Sequence, residues 1–139
     1  MKELKFTYMD YIDVDIKLKN KKTVLNGNSA TGKSYLYSII EQYKQEEKRN
    51  DIICLDVNNI DIDDTNNVIE KIKKLDNGIV VIDQADDILT DKNLYETIIH
   101  DNKNYYIIMS RKYFTRYSQL AKTVISSKHI GLKYRLNII

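Results

Sequence analysis

A chain of 139 residues with 22 Lys and Arg against 20 Asp and Glu carries a formal charge of only +2, so no global field selects nucleic acid or an anionic membrane as partner. That length fits one domain over residues 1–139. The single cysteine, Cys54, excludes an internal disulfide framework, and no apolar stretch is long enough for a secretory signal or a membrane span; a cytoplasmic protein with no membrane partner is expected.

From residue 4 to 18 apolar side chains alternate with polar ones: Leu4, Phe6, Tyr8, then Ile12, Val14, Ile16 and Leu18. The pattern predicts an N-terminal β-hairpin turning near Met9 and Asp10. Lys22-Thr23-Val24-Leu25 then predicts a short strand. Further on, Leu36, Ile39, Ile40 and Tyr43 recur at i, i+3, i+4 and i+7, the period of an amphipathic helix. Between strand and helix stands GNSATGKS.

In that segment Gly27, Asn28, Ser29, Ala30, Thr31, Gly32, Lys33 and Ser34 fit G-x-x-x-x-G-K-[ST]. Backbone N–H groups of such a loop wrap a phosphate chain, and the lysine neutralises its outer oxygens. Glycine at both ends frees backbone angles that side chains forbid. The helix that Lys33, Ser34 and Tyr35 open adds unpaired N–H groups and the positive end of its dipole.

Ile52 to Val57 predicts a parallel strand reached by a helical crossover, with Cys54 as a buried, inert thiol. Asp63 or Asp64 is expected to cap a helix carrying Val68, Ile69, Ile72 and Leu75 on one face, stopped at Asn77-Gly78. Ile79-Val80-Val81-Ile82 lacks alternation, as a strand buried on both faces does, and runs into Asp83. A helical segment around Leu94, Tyr95, Ile98 and Ile99 precedes a central strand, Tyr105 to Met109, that ends at Ser110-Arg111. A helix through Phe114, Tyr117, Leu120 and Ala121 is expected next. Leu132, Tyr134, Leu136 and Ile138 then alternate with polar residues as in an edge strand.

An aspartate leaving the carboxyl end of a buried strand suits magnesium, which takes few carboxylates and keeps several waters. Asp83, with the Ser34 hydroxyl opposite, makes a sufficient pair. His100 and His129 stand alone, without ligand spacing.

Together the two motifs resemble those of the P-loop NTPases, with GNSATGKS as Walker A and IVVID as Walker B. The strand ending in Ser110-Arg111 is similar to the sensor strand of AAA-type and related ATPases. The resemblance implies an α/β, three-layer core and a mostly parallel sheet ordered 5-1-4-3-2, with Tyr105 to Met109 between the phosphate-loop strand and Ile79 to Ile82. It implies ATP and Mg²⁺ as cofactors, with Lys33, Asp83, Gln84 and Arg111 as catalytic residues and Ser110 beside the nucleotide. Arg111 or Arg116 would meet the γ-phosphate, in the same chain or across a homo-oligomer or partner protein that supplies an arginine. The hairpin entry is also similar to that of ABC-type ATPases, but no LSGGQ-like signature follows, so their mode of dimerisation is not expected.

The chain departs from the AAA-type pattern at Gln84, where a glutamate usually polarises the attacking water. A carboxamide orients water but cannot take its proton. Asp56, Asp86 and Asp87 are the available substitutes, and each also suits a strand end or a helix start.

Three functions remain: a slow Mg²⁺-dependent ATPase or nucleotide switch, a small P-loop kinase, and a non-hydrolysing adaptor, for which a nucleic-acid partner stays open. A kinase calls for an arginine-rich lid, yet arginine occurs only as Arg49, Arg111, Arg116 and Arg135. Asn102-Lys103-Asn104 lacks the aspartate by which many GTPases read guanine, so adenine is favoured.

Overall fold

The structure, a computed structural model, describes residues 2–10, 12–26, 33–110, 121–122, 125–130 and 133–138. The chain opens with β1 (Lys2–Tyr8) and β2 (Ile12–Leu18), paired antiparallel with Leu4 opposite Ile16 and Phe6 opposite Val14. Met9 and Asp10, in the loop between the paired Tyr8 and Ile12, have left-handed φ of 53° and 63°. Ile12, Val14, Ile16 and Leu18 all point into the core.

A parallel sheet follows. β3 (Lys22–Asn26) leads to α1 (Lys33–Glu46), then β4 (Ile52–Leu55), α2 (Asn66–Lys74), β5 (Ile79–Ile82), a short α3 (Ala85–Ile88), α4 (Lys92–His100) and β6 (Tyr105–Ser110). The strands lie in the order β4-β5-β6-β3, and a two-residue β7 (Ala121–Lys122) joins the far side of β3. β6 thus lies between β3 and β5, with Asn26 level with Ser110 and Ile82 level with Ile108.

Alternation within the sheet divides the core. Ile79, Val81 and Ile107 pack with α1 and the hairpin, whereas Val80, Ile82 and Ile108 pack with residues of α2, α3 and α4. All four residues of β5 are buried, as a strand covered by helices on both faces requires. At about 1.5–3 kcal/mol for each fully buried aliphatic side chain, these two clusters supply the main force for folding. Phe6 stacks on Tyr43 with ring centroids 3.9 Å apart, fastening the hairpin to α1. Arg49 fixes the end of that helix, donating to both Asp51 oxygens (2.7 and 2.8 Å) and to the Tyr43 hydroxyl (2.9 Å).

Three expectations change. The strand foreseen from Ile52 to Val57 stops at Leu55, because the Asp56 carboxylate turns back to accept the N–H groups of Asn58 and Asn59. The N-cap of α2 is Thr65, not Asp63 or Asp64. Its hydroxyl does not cap; it donates to Asp91 Oδ2 (2.9 Å), the same oxygen that accepts the Leu94 N–H and caps α4. Ala121, expected in a helix, is in β7 and pairs with Thr23; pairing with the open side of β3 outweighs the local helical period. The remainder of that expected helix, with Phe114, Tyr117 and Leu120, lies outside the described residues. β9 (Lys133–Ile138) is an edge strand, of a separate two-stranded sheet in which it pairs antiparallel with β8 (Ile125–Ile130), and it lies against β2. β8, whose Ser-Ser-Lys-His centre carries no apolar alternation, has no counterpart in the sequence pattern.

Candidate functional site

Because β3, β5 and β6 run parallel, their carboxyl ends share one edge of the sheet. Asn26 and Ser110 are level there, and Asp83, one residue beyond Ile82, comes level with Met109. At the same edge α1 begins at Lys33, and no acidic residue occupies its first turn. The positive end of the helix dipole therefore meets no carboxylate from the first turn of its own helix. Ser34 and Tyr35 are exposed there. Gly27, Asn28, Ser29, Ala30, Thr31 and Gly32, and likewise Arg111 and Arg116, lie outside the described residues.

Asp83 is 9% exposed. Its backbone N–H donates to the Leu55 carbonyl (2.9 Å), which continues the β5 ladder, and its Oδ1 accepts the N–H of Gln84 (2.9 Å). Its Oδ2 has no hydrogen-bond partner among the described residues. The carboxylate thus stands at the carboxyl edge of the sheet, one residue beyond β5.

Gln84 has φ 52° and ψ 46°, the left-handed conformation, and serves as N-cap of α3 without a side-chain cap bond. For a residue with a Cβ this costs of order 1 kcal/mol. The kink turns the chain from β5 directly into α3, so that Asp86 accepts a hydrogen bond from the Ser110 hydroxyl (2.6 Å). Ser110 is buried at 1% exposure. The end of β6 is therefore tied to the first turn of α3.

Of the substitutes for a water-activating glutamate, Asp56 is held by the Asn58 and Asn59 N–H groups (2.8 and 3.0 Å) as part of a turn. Asp86 is engaged by Ser110, and Asp87 is exposed in the first turn of α3. Cys54 is buried, and burial pushes its thiol up to about 12, which suits an inert side chain. His100 is exposed at the end of α4, its Nδ1 2.9 Å from the Glu96 carbonyl oxygen.

Among the described residues no group of three or more His, Cys, Asp and Glu side chains is arranged to hold a metal ion. No described helix is long and apolar enough to cross a membrane. The sequence named Asp83, Gln84, Asp86 and Ser110 separately. It gave no sign of the Ser110–Asp86 bond or of the left-handed Gln84, since neither follows from a local pattern. No protein-family model matches the chain, and no curated protein matches it.

Proposed function

We propose that the chain is an ATP-binding P-loop protein of AAA-like type, acting as a slow Mg²⁺-dependent ATPase or a nucleotide switch. The observation that carries this reading is that β3 ends, and α1 begins, at the sheet edge that also bears Asp83, while the sequence running from one to the other is GNSATGKS. A phosphate chain at that position meets backbone N–H groups and a helix dipole together. The position of β6 between β3 and β5 in the parallel sheet adds support, because the resemblance places the sensor strand there.

The donors present fit magnesium, which prefers oxygen and needs few protein ligands. Ser34 and Asp83 would hold the ion, and it would supply charge neutralisation on the phosphate oxygens. Gln84, at the kink, orients water without accepting its proton. Asp56 and Asp86 are already engaged, so turnover by the isolated chain is slow, on the order of 1 per minute or less, as in unassisted GTPases. The same facts favour the non-hydrolysing clasp as the second reading.

Mg·ATP at 100 times its Kd should raise stability by about 2.7 kcal/mol, and Lys33→Ala should abolish that gain in a thermal melt. Equal shifts in the two proteins would refute nucleotide binding at this loop. Phosphate release at saturating Mg·ATP then separates switch from engine, and Gln84→Glu should raise it. ADP formation that depends on an added acceptor would instead mark a kinase.

A further inference from the structure

β4 is the end strand of the parallel sheet, paired with β5 on one side and separated from β3 by β5 and β6. The N–H groups of Ile79 and Asp83 donate to the carbonyls of Asp51 and Leu55, which sets the parity of the ladder. Residues 51, 53 and 55 turn their peptide groups to β5, and Ile52 and Cys54 turn theirs outward. No described strand lies on that side.

One pair of outward groups is already answered. The Asn59 side chain donates from Nδ2 to the Cys54 carbonyl (2.9 Å) and accepts at Oδ1 from the Asp56 N–H (2.9 Å). This single carboxamide reproduces the two bonds that one residue of a neighbouring parallel strand makes. The Tyr37 hydroxyl, 3.4 Å from Nδ2, helps to hold it. One step back along the edge, the Ile52 carbonyl and the Cys54 N–H present the same pair of groups.

They open into a cleft of about 550 Å³ between α1 and α2. Its two walls differ. The α1 wall is mixed, with Glu41, Lys44 and Gln45, whereas the α2 wall carries Lys71 and Lys74 above the apolar Val68 and Leu75. Side chains of an added strand alternate between these walls. Lys71 and Lys74 lie three residues apart on a helix, about 4.5 Å along its axis, and flexible lysines span the roughly 6.7 Å between alternate residues of a strand.

We infer that the β4 edge is a docking site for an extended segment of a partner protein, which adds as a further strand and presents acidic side chains at alternate positions to Lys71 and Lys74. Main-chain bonds to Ile52 and Cys54 give affinity, and the charges select the partner. A second copy of this chain is disfavoured as occupant, because β4 against β4 brings both sets of lysines together.

The test is fluorescence polarisation with a labelled, end-blocked hexapeptide alternating Glu and Val. Binding should weaken with salt and fall roughly tenfold in the Lys71→Glu/Lys74→Glu double variant, whose substitutions are on an exposed face. N-methylation of the peptide backbone at alternate residues should abolish binding, since it removes the ladder donors while keeping the charges. Circular dichroism of the double variant verifies that it folds. Equal binding of a peptide with Lys in place of Glu, equal binding of the N-methylated peptide, or no binding at millimolar peptide would each overturn the proposal. So would sedimentation showing a dimer that Asn59→Ala strengthens and the peptide does not displace.

Discussion

The two ends of the parallel sheet are built in contrasting ways. At the amino end Asp101, Asn104 and Tyr106 are buried and mutually bonded. Asn104 Oδ1 accepts the Gly78 N–H (2.9 Å), and its Nδ2 donates to the Leu75 carbonyl (3.0 Å) and to Asp101 Oδ2 (2.8 Å). The Tyr106 hydroxyl donates to the same carboxylate, and Lys22 Nζ donates to the Asp101 carbonyl (2.7 Å). Gly78 is close-packed here, since a Cβ would fall 2.6 Å from the Asp51 carbonyl oxygen. At the carboxyl end Asp83 keeps one oxygen without a described partner, and Gln84 holds a left-handed backbone.

The contrast teaches a division of labour. In a parallel sheet every strand starts at one edge and ends at the other, and the helices that follow the strands start at the second edge. Closing the first edge needs only hydrogen bonds from loops to strand starts, which Asn104 and Asp101 provide. The second edge carries the left-handed Gln84 and the Asp83 carboxylate instead.

The largest test of that division is Asn104→Ala. It leaves the Gly78 N–H and the Leu75 carbonyl without their partner and takes a donor from Asp101, so a loss of about 3–4 kcal/mol is expected from urea unfolding. The nucleotide-induced stabilisation proposed above should persist at the temperature where the variant is folded. Loss of binding in a folded variant would show that the two ends are coupled.

A smaller effect of opposite sign is expected at the other end. Gln84→Gly removes the penalty on a left-handed residue and should stabilise the chain by about 0.5–1 kcal/mol, net of glycine's greater freedom when unfolded. Destabilisation of that size would mean that the Gln84 side chain carries packing which its backbone strain conceals.

The subtlest difference is in acid. Burial alone would raise the Asp101 carboxyl, but hydrogen bonds from Tyr106, Asn104 and the Lys103 N–H outweigh it and hold the group below the usual carboxylate range. With a folded pKa below the unfolded one, the stabilisation is present above about pH 4 and is lost as pH falls toward the folded value. Asp101→Asn should therefore flatten the acid limb of a plot of unfolding midpoint against pH. An unchanged limb would assign acid sensitivity to other carboxylates.

Much of the fold was legible because it rests on short periods. The alternation of Ile12, Val14, Ile16 and Leu18 announced the hairpin, and Leu36, Ile39 and Ile40 announced α1, since core-facing residues repeat every two or every three to four positions. Asp83 was legible for a related reason: a short unbroken β-branched run fits a strand covered on both faces, and a carboxylate at its end is conspicuous. Asp63 and Asp64 misled because the N-cap falls one position further on, at Thr65, whose hydroxyl serves Asp91 on another element. Ala121 misled because the decisive partner, β3, is distant in sequence.

By itself the sequence determined which segments are strands and helices across residues 2–110, the glycine-rich link into α1, and the aspartate at the end of β5. All of these depend on neighbours within a turn or two of chain. Only the tertiary structure decided that Gln84 takes a left-handed turn, that Ser110 reaches Asp86, that Asn104 closes the amino edge, and that Asn59 stands in for a missing strand beside β4. Each of these joins groups from separate elements, and a hydrogen bond is specified by where two groups meet in space, which no local period of side chains encodes.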